Sequence, residues 1–203
     1  MPESSESDRY QTLAEPASGV YKEKGSKFLS FAYPVSTDEQ IKIHLLEIKK
    51  AYFNATHHCY AYRLGVDGAI WRANDDGEPS SSAGKPILGQ LHAHHVTDSI
   101  IIVVRYYGGI KLGLSGLINA YRQAASNVLQ NSKIVVKYAQ TSVTLRFPYT
   151  NIDAVMKLLK DFQASITAQQ GEEEYRISFS IRCGLFPALS EKLLRINPLI
   201  ITP

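Results

Sequence analysis

The sequence predicts an α+β protein built of two parts. Apolar residues alternate in some segments and recur at helical intervals in others, so strands and helices are mixed along the chain. A shift in composition near Tyr138 marks the second part, residues 137–203. From there the sequence indicates strand, helix, strand, strand, helix and strand, in SVTLRF, NIDAVMKLLKDF, ASITAQQ, EYRISFSIRC, FPALSEKLLRI and LIIT. This split βαββαβ order is typical of a ferredoxin-like domain, and about 65 residues are enough for such a domain to fold.

The first part, residues 18–136, follows a polar tail at residues 1–17. The segment KFLSFAYPV alternates and predicts a strand with one apolar side. Ser36 stands three residues before Glu39, which is the spacing of a capping box and predicts the start of a helix. Apolar residues continue this helix at the expected spacing: Ile41, Leu45, Ile48 and Tyr52.

The next elements follow from the same two patterns, alternation for strands and helical spacing for helices. HHCYAYRLG predicts a second strand, and VDGAIW predicts a turn into a third. The unbroken apolar run from Ile100 to Val104 favours a strand buried on both faces. It leads into RYYGGIKLGLSG, a glycine-rich turn that precedes a helix. The apolar face of that helix is predicted to carry Leu117, Ile118, Tyr121, Ala125 and Val128.

Composition indicates a globular protein of the cytoplasm. The 203 residues are 44% hydrophobic and 20% charged, with a net charge of +3. No apolar run reaches the roughly 18 residues of a membrane span, and the polar start is unlike a signal peptide. Cys59 and Cys183 are far apart in strand-like segments, so buried reduced thiols are expected. Glu172 to Glu174 follow Gly171 between two strands and predict a solvated hairpin turn.

The turn RYYGGIKLG combines features suited to an anionic ligand. Arg105 ends a buried strand, Lys111 precedes a helix start, and free backbone amides at such a start favour phosphate. Tyr106 and Tyr107 are able to stack on a base. The alternative is a tight turn in which the glycines relieve backbone strain and the tyrosines cover the core.

The segment NDDGEPSSSAGKP is either a solvated loop or a site. Asp75, Asp76 and Glu78 are oxygen donors suited to magnesium or manganese, and one of His57 and His58 could join them, because adjacent strand residues face opposite ways. No nucleophile elbow surrounds the serines that follow, so turn residues or hydroxyl donors to an anion are the better interpretation.

The longest motifs resemble those of a known family. DDGEPSSSAGKPIL and VVRYYGGIKLGLSGLINAY resemble the paired hallmark of the IMPACT family, in its bacterial YigZ-like branch. HHCYAYRLG resembles the histidine-bearing strand of the same family, and KGSKFLSFAYPV resembles its opening strand. The resemblance covers nearly the whole chain.

The resemblance implies a fold that the patterns alone do not predict. It implies that residues 18–136 share the fold of RNase PH and of the second domain of a ribosomal small-subunit protein, with a left-handed βαβ connection. It also implies that residues 137–203 form a ferredoxin-like domain similar to one of an elongation factor. Eukaryotic members restrain a translation-initiation kinase by competing for its activator and carry a further N-terminal domain, and that role is not transferred to this chain.

The resemblance brings the two loops together as one expected surface for RNA. Its expected contacts are Arg105, Tyr106, Tyr107, Gly108, Gly109, Lys111, Ser80, Ser81, Ser82, Gly84 and Lys85. Asp76 and Glu78 are expected either to orient the basic groups of this surface or to hold a divalent ion that bridges to phosphate. The leading hypothesis is a non-catalytic protein that binds RNA or the translation apparatus and modulates translation.

Two alternatives remain at this point. The first is a metal-assisted phosphoesterase or nuclease that uses Asp75, Asp76, Glu78 and His58. The second is a protein-interaction module, in which both loops would be contact surface for a protein partner. No cofactor is predicted apart from the divalent ion of the first alternative, and no membrane partner is expected.

Overall fold

The computed structural model describes residues 8–171 and 174–202. The chain divides into two compact units. One runs from Tyr10 to Lys137, and the other joins Asp8 and Arg9 to the residues from Tyr138 onward. Within the described residues, no helix has both the length and the apolar character needed to cross a membrane.

The first unit contains seven strands and three helices among its described residues. The strands are β1 (Arg9–Leu13), β2 (Ala17–Glu23), β3 (Ser26–Pro34), β4 (His57–Leu64), β5 (Ile70–Asn74), β6 (Ser99–Tyr106) and β7 (Ile134–Tyr138). The helices are α1 (Asp38–Ala51), α2 (Gly84–Ala93) and α3 (Gly113–Gln130).

A five-stranded sheet in the order β2-β3-β6-β4-β5 organises this unit, and every neighbouring pair is antiparallel. Its central strand, β6, is buried on both faces, as the apolar run predicted. Ile101 and Val103 pack into a core with α2 and α3. Ile100, Ile102 and Val104 pack into a second core with α1. The sheet is therefore covered on both sides.

Helix α1 begins one residue later than the capping box predicted. Thr37, not Ser36, is the N-cap, and its Oγ1 accepts from the Gln40 backbone N–H at 3.3 Å. The Gln40 side chain reaches back to accept from the Ser36 N–H at 2.7 Å. The bonding resembles a capping box, but Gln40 takes the place assigned to Glu39, and its side chain accepts from Ser36, the residue before the N-cap, and not from Thr37 itself.

Four elements were not predicted from the sequence: β1, β2, β7 and α2. The predicted tail at residues 1–17 contains β1, which pairs with β7, and Leu13 is fully buried in the core. Residues 1–7 of that tail lie outside the described residues. Helix α2 was not predicted, because its start is Gly84-Lys-Pro and its pattern is short. It nevertheless buries Ile87, Leu88 and Leu91 against α3.

The second unit has the predicted order of elements. These are β8 (Gln140–Pro148), α4 (Ile152–Asp161), β9 (Ser165–Gly171), β10 (Glu174–Arg182), α5 (Phe186–Leu193) and β11 (Ile200–Thr202). The strands form an antiparallel sheet in the order β11-β8-β10-β9. Side chains of α4 and α5 pack on one face of this sheet. Of the predicted acidic turn, Glu174 begins β10, whereas Glu172 and Glu173 lie outside the described residues.

A buried carboxylate ties the start of the chain to β10 within the second unit. Asp8 is 4% exposed and accepts two hydrogen bonds of 2.8 Å from the Arg182 guanidinium. It also accepts from the Gly184 backbone N–H at 2.7 Å. The hydrogen bond from Arg182 lowers the pKa of Asp8 from its usual value.

Candidate functional site

One row of side chains crosses three neighbouring strands of the five-stranded sheet. The strand register places Phe28 of β3 and His57 of β4 opposite Arg105 of β6. Directly opposed residues point to the same face, and Phe28 belongs to the core shared with α2 and α3. Arg105 and His57 therefore approach the loop before α2 and the turn before α3.

The centre of the site is a buried carboxylate, Glu78, in the loop between β5 and α2. Its side chain is 3% exposed, and its Oε1 accepts from Arg105 Nη1 at 2.6 Å. The same oxygen accepts from the Tyr121 hydroxyl of α3 at 2.8 Å. A buried carboxylate requires such partners, because an unpaired charge in a protein interior is strongly destabilising.

Two neutral groups extend this cluster. The Cys59 thiol donates toward the Tyr121 hydroxyl at 3.3 Å and toward the Asp75 carbonyl at 3.0 Å. Burial raises the pKa of the Cys59 thiol and that of the Tyr121 hydroxyl. Both groups are therefore protonated at neutral pH, and Cys59 lacks the thiolate that a nucleophile needs.

Asp75 holds the loop and the start of α2. Its carboxylate accepts backbone N–H groups from Ser81, Ala83 and Gly84 at 2.8 to 3.0 Å. The N-cap residue of α2 is Ala83, whose side chain offers no acceptor. The Asp75 carboxylate supplies the acceptor instead, as a capping residue ordinarily does.

Asp76 fastens the same loop to β4. Its Oδ2 accepts from the His58 backbone N–H at 2.7 Å, and its backbone carbonyl lies 2.8 Å from His57 Nδ1. Lys49 Nζ is 3.5 Å from the other carboxylate oxygen. Asp76 has φ 42° and Gly77 has φ 88°, so the chain makes two successive left-handed residues here. This turn brings Glu78 back beneath α3.

A groove of about 610 Å³ opens beside Glu78. Its polar lining comes from Thr56, His57, Glu78, Arg105 and Lys111, and its apolar lining from Pro79, Tyr107, Leu112, Leu114 and Leu117. Glu78 and Arg105 are buried, so they form the floor. Tyr107, Leu114 and Lys111 are exposed, so they form the rim.

The structure assigns Arg105 a different role from the one predicted. Its side chain is 7% exposed and paired with Glu78, with the guanidinium 5.5 Å from the ring centroids of both Phe28 and Tyr107. The sequence predicted an open contact to phosphate. Glu78 takes the first of the two roles expected for it, since it holds a basic group, but the pair is buried and the Arg105 guanidinium is not open to a phosphate.

The other residues of the glycine-rich turn divide into anchored and free groups. Tyr106 donates to Asn54 Oδ1 at 2.9 Å, and Gly108 packs so tightly on Gly25 that a Cβ atom would overlap its backbone. Tyr107 is also anchored, since its hydroxyl donates to the Gly109 carbonyl at 2.7 Å, but its side chain is 46% exposed at the rim. A Cβ placed on Gly109 would meet no atom within 4 Å, and Lys111 is exposed.

The serine loop contributes little exposed surface to the predicted cradle. Ser82 is fully buried and donates to the Pro79 carbonyl at 2.6 Å, and Gly84 is buried at the start of α2. Ser81 is half-buried, with its N–H on Asp75, whereas Ser80 and Lys85 are exposed. None of these five residues lines the groove.

The four side chains proposed as metal ligands do not form one cluster, although Asp76 Oδ2 and His58 Nδ1 are 3.7 Å apart. Asp75, Asp76 and Glu78 each bind different partners, and His58 lies on the other face of β4, with Nε2 3.0 Å from the Tyr52 carbonyl. In the part of the chain that the structure describes, no three His, Cys, Asp or Glu side chains are arranged to hold a metal ion.

Sequence reasoning missed two members of the site. Tyr121 was predicted only as part of the apolar face of α3. A buried tyrosine usually needs a hydrogen-bond partner for its hydroxyl, and this requirement could have indicated a polar group beside it. The metal hypothesis selected His58, whereas His57 is the histidine on the groove side. Alternation along β4 shows that His57 and His58 lie on opposite faces, but it does not indicate which face the loop with Glu78 covers.

Comparison with known proteins gives the family. Residues 24–129 match the family model described as the Impact N-terminal domain. The IMPACT family member YvyE of Bacillus subtilis is 36% identical over 154 residues, which are 76% of this chain and 71% of that protein. The IMPACT family member YigZ of Escherichia coli is 31% identical over 196 residues, covering 91% of this chain and 96% of that protein. A crystal structure described as that of a hypothetical protein covers 96% of both chains at 28% identity, with a TM-score of 0.74.

The fold and the site thus define an α+β protein of two compact units, with a buried carboxylate–arginine pair beneath a surface groove in the first. The chain belongs to the IMPACT family. The family resemblance read from its motifs is confirmed.

Proposed function

We propose that this protein binds RNA of the translation apparatus in the cytoplasm, catalyses no reaction, and modulates translation. The observation that carries the proposal is the exposed rim of the groove, where an aromatic ring, a lysine and a helix start lie together. An aromatic ring stacks on bases, and a lysine with backbone amides contacts phosphate.

The start of α3 supports phosphate binding. Its N-cap residue, Leu112, makes no side-chain capping bond, and its first turn contains no acidic residue. The first N–H groups of the helix and the positive end of its dipole therefore remain available to an anion. A Cβ atom on Gly109 or Gly113 would meet nothing within 4 Å, so a ligand can approach the backbone closely. Lys111 precedes this start and adds a positive charge.

The fold supports the proposal by analogy. The βαββαβ order of the second unit and its strand order β11-β8-β10-β9 agree with the ferredoxin-like domain that we propose for it. For the first unit we propose the RNase PH type of fold. Both architectures recur in proteins that contact RNA, which raises the expectation of RNA binding.

The test is co-sedimentation of the purified protein with ribosomes and ribosomal subunits over a salt series. Lys111→Ala should weaken binding and reduce the slope of log K against log salt by about one unit, because it removes one phosphate contact. Tyr107→Ala should weaken binding with little effect on the slope. Arg105→Ala is a poor probe, because it would leave Glu78 buried and unpaired.

Lys157→Ala is the charge-matched control, since Lys157 is an exposed lysine of α4 in the other unit. Binding that both lysine variants weaken equally would show a non-specific charge effect. Binding that survives in Lys111→Ala and Tyr107→Ala would contradict the proposal. Addition of the protein to a cell-free translation reaction, with the same variants, tests whether binding changes the rate of protein synthesis.

A further inference from the structure

The floor of the groove carries hydrogen-bonding capacity that the fold leaves unused. Glu78 directs Oε1 to both Arg105 and Tyr121. Within residues 8–171 and 174–202 its second oxygen, Oε2, has no hydrogen-bond partner, and it is not one of the fully buried unpaired atoms, so it is accessible from the groove. Arg105 Nε is fully buried without a hydrogen-bond partner in the same part of the chain. Buried polar groups are nearly always paired, so the floor of the groove is incompletely satisfied, and Oε2 can accept a hydrogen bond from a ligand.

His57 adds a third polar function to the groove. Its Nδ1 lies 2.8 Å from the Asp76 carbonyl, and a carbonyl oxygen only accepts hydrogen bonds. Nδ1 must therefore carry the proton, which makes Nε2 of a neutral His57 an acceptor. That nitrogen is 3.8 Å from Glu78 Oε1, too far for a hydrogen bond between them. Nε2 is thus left for a group that enters the groove.

The walls of the groove suit a flat apolar body. Leu112, Leu114, Leu117 and Pro79 supply aliphatic surface, and Tyr107 supplies an aromatic ring. The volume of about 610 Å³ falls within the range of about 300–1,000 Å³ typical of small-molecule pockets. Such pockets combine apolar walls with a few polar groups that orient the ligand, and this groove has that composition.

We propose that the groove holds a single nucleobase of the bound RNA, unstacked from its neighbours. A base has flat apolar faces for the walls, and on its edge donors for the two acceptors of the groove, Glu78 Oε2 and His57 Nε2. Its phosphate would lie at the rim, where Lys111 and the start of α3 provide positive charge. The inference rests on the proposed function, because it names the part of the RNA that the same surface recognises.

The experiment compares two short single-stranded RNAs of equal length and charge, one intact and one with abasic positions, by fluorescence anisotropy at one salt concentration. The intact strand should bind wild-type protein about tenfold or more tightly, since one stacked base contributes about that factor. Leu114→Ala should reduce the difference in affinity between the intact and the abasic RNA. Leu114 is 57% exposed, so its truncation spares the core. Lys111→Ala should weaken both strands by the same factor.

The outcomes separate the inference from the proposed function. Equal binding of the two strands would overturn the base pocket and leave phosphate recognition standing. A preference for the intact strand that Leu114→Ala does not reduce would place base recognition elsewhere and overturn the assignment to this groove. Failure of both strands to bind would overturn the inference and the proposed function together.

Discussion

The buried pair between Glu78 and Arg105 makes a strong prediction about stability. The two side chains are 3% and 7% exposed, and their N–O distance is 2.6 Å. Arg105→Met removes the guanidinium and leaves a carboxylate in the core with one hydroxyl partner. Loss of one member of a buried pair costs about 3–5 kcal/mol in the free energy of unfolding, so Arg105→Met should be that destabilising.

An exposed ion pair of similar length provides the matched control. Lys42 and Asp38 of α1 are 2.8 Å apart, but their side chains are 70% and 54% exposed. Solvent screens such a pair, so Lys42→Met should leave the free energy of unfolding almost unchanged. Both variants replace a cation with methionine, so a difference between their free energies of unfolding can be attributed to burial of the pair.

Urea unfolding followed by tryptophan fluorescence measures both variants. Trp71 is the single tryptophan of the chain and lies on β5, in the same unit as the pair. The double variant Glu78→Gln, Arg105→Met should cost less than the sum of its single variants, with a coupling of about 1 kcal/mol or more. A cost for Arg105→Met as small as that of Lys42→Met, or strict additivity in the double variant, would refute the reasoning.

Three further predictions concern the ends and faces of the elements. Because Arg182 lowers the pKa of Asp8, the stability that this carboxylate provides is present above its usual value of 3.8 and is lost as the pH falls through the lowered value. Asp8→Asn should therefore be less stable near neutral pH, but should lose less stability on acidification than wild type, measured by circular dichroism melts. Thr37→Ala should destabilise the protein by about 1 kcal/mol in urea unfolding, because it removes the N-cap of α1. Arg146→Thr should stabilise the second unit by a few tenths of a kcal/mol, since Arg146 lies directly opposite Arg176 and like charges repel.

Each of these has a control and a contrary outcome. An Asp8→Asn variant with the same pH dependence as wild type would show that this carboxylate does not titrate with folding. Thr37→Ser keeps the hydroxyl acceptor and should retain most of the stability, so an equal loss in both variants would argue against capping. The benefit of Arg146→Thr should shrink at high salt. A stabilisation that persists at high salt would have a cause other than charge repulsion.

Local patterns predicted most of the elements and part of the candidate site. Alternation in HHCYAYRLG and the unbroken apolar run from Ile100 to Val104 predicted two strands, and the structure has both, as β4 and β6, with β6 buried on both faces. The turn and its exposed lysine were also predicted. The patterns failed at α2, whose glycine and proline start hides its short apolar face, and at β1, which lies in a polar stretch and depends on distant partners: it pairs with β7 and buries Leu13 in the core.

The sequence by itself therefore determined which segments alternate as strands, which repeat at helical spacing, and which motifs mark the family. Only the tertiary structure decided which groups meet. Glu78 bonds to Arg105 across 27 residues and to Tyr121 across 43 residues. The physical reason is that φ and ψ preferences act between near neighbours, whereas the position of a loop carboxylate depends on the packing of the whole sheet and its helices. The same packing turned an arginine expected to bind phosphate into the buried partner of a glutamate.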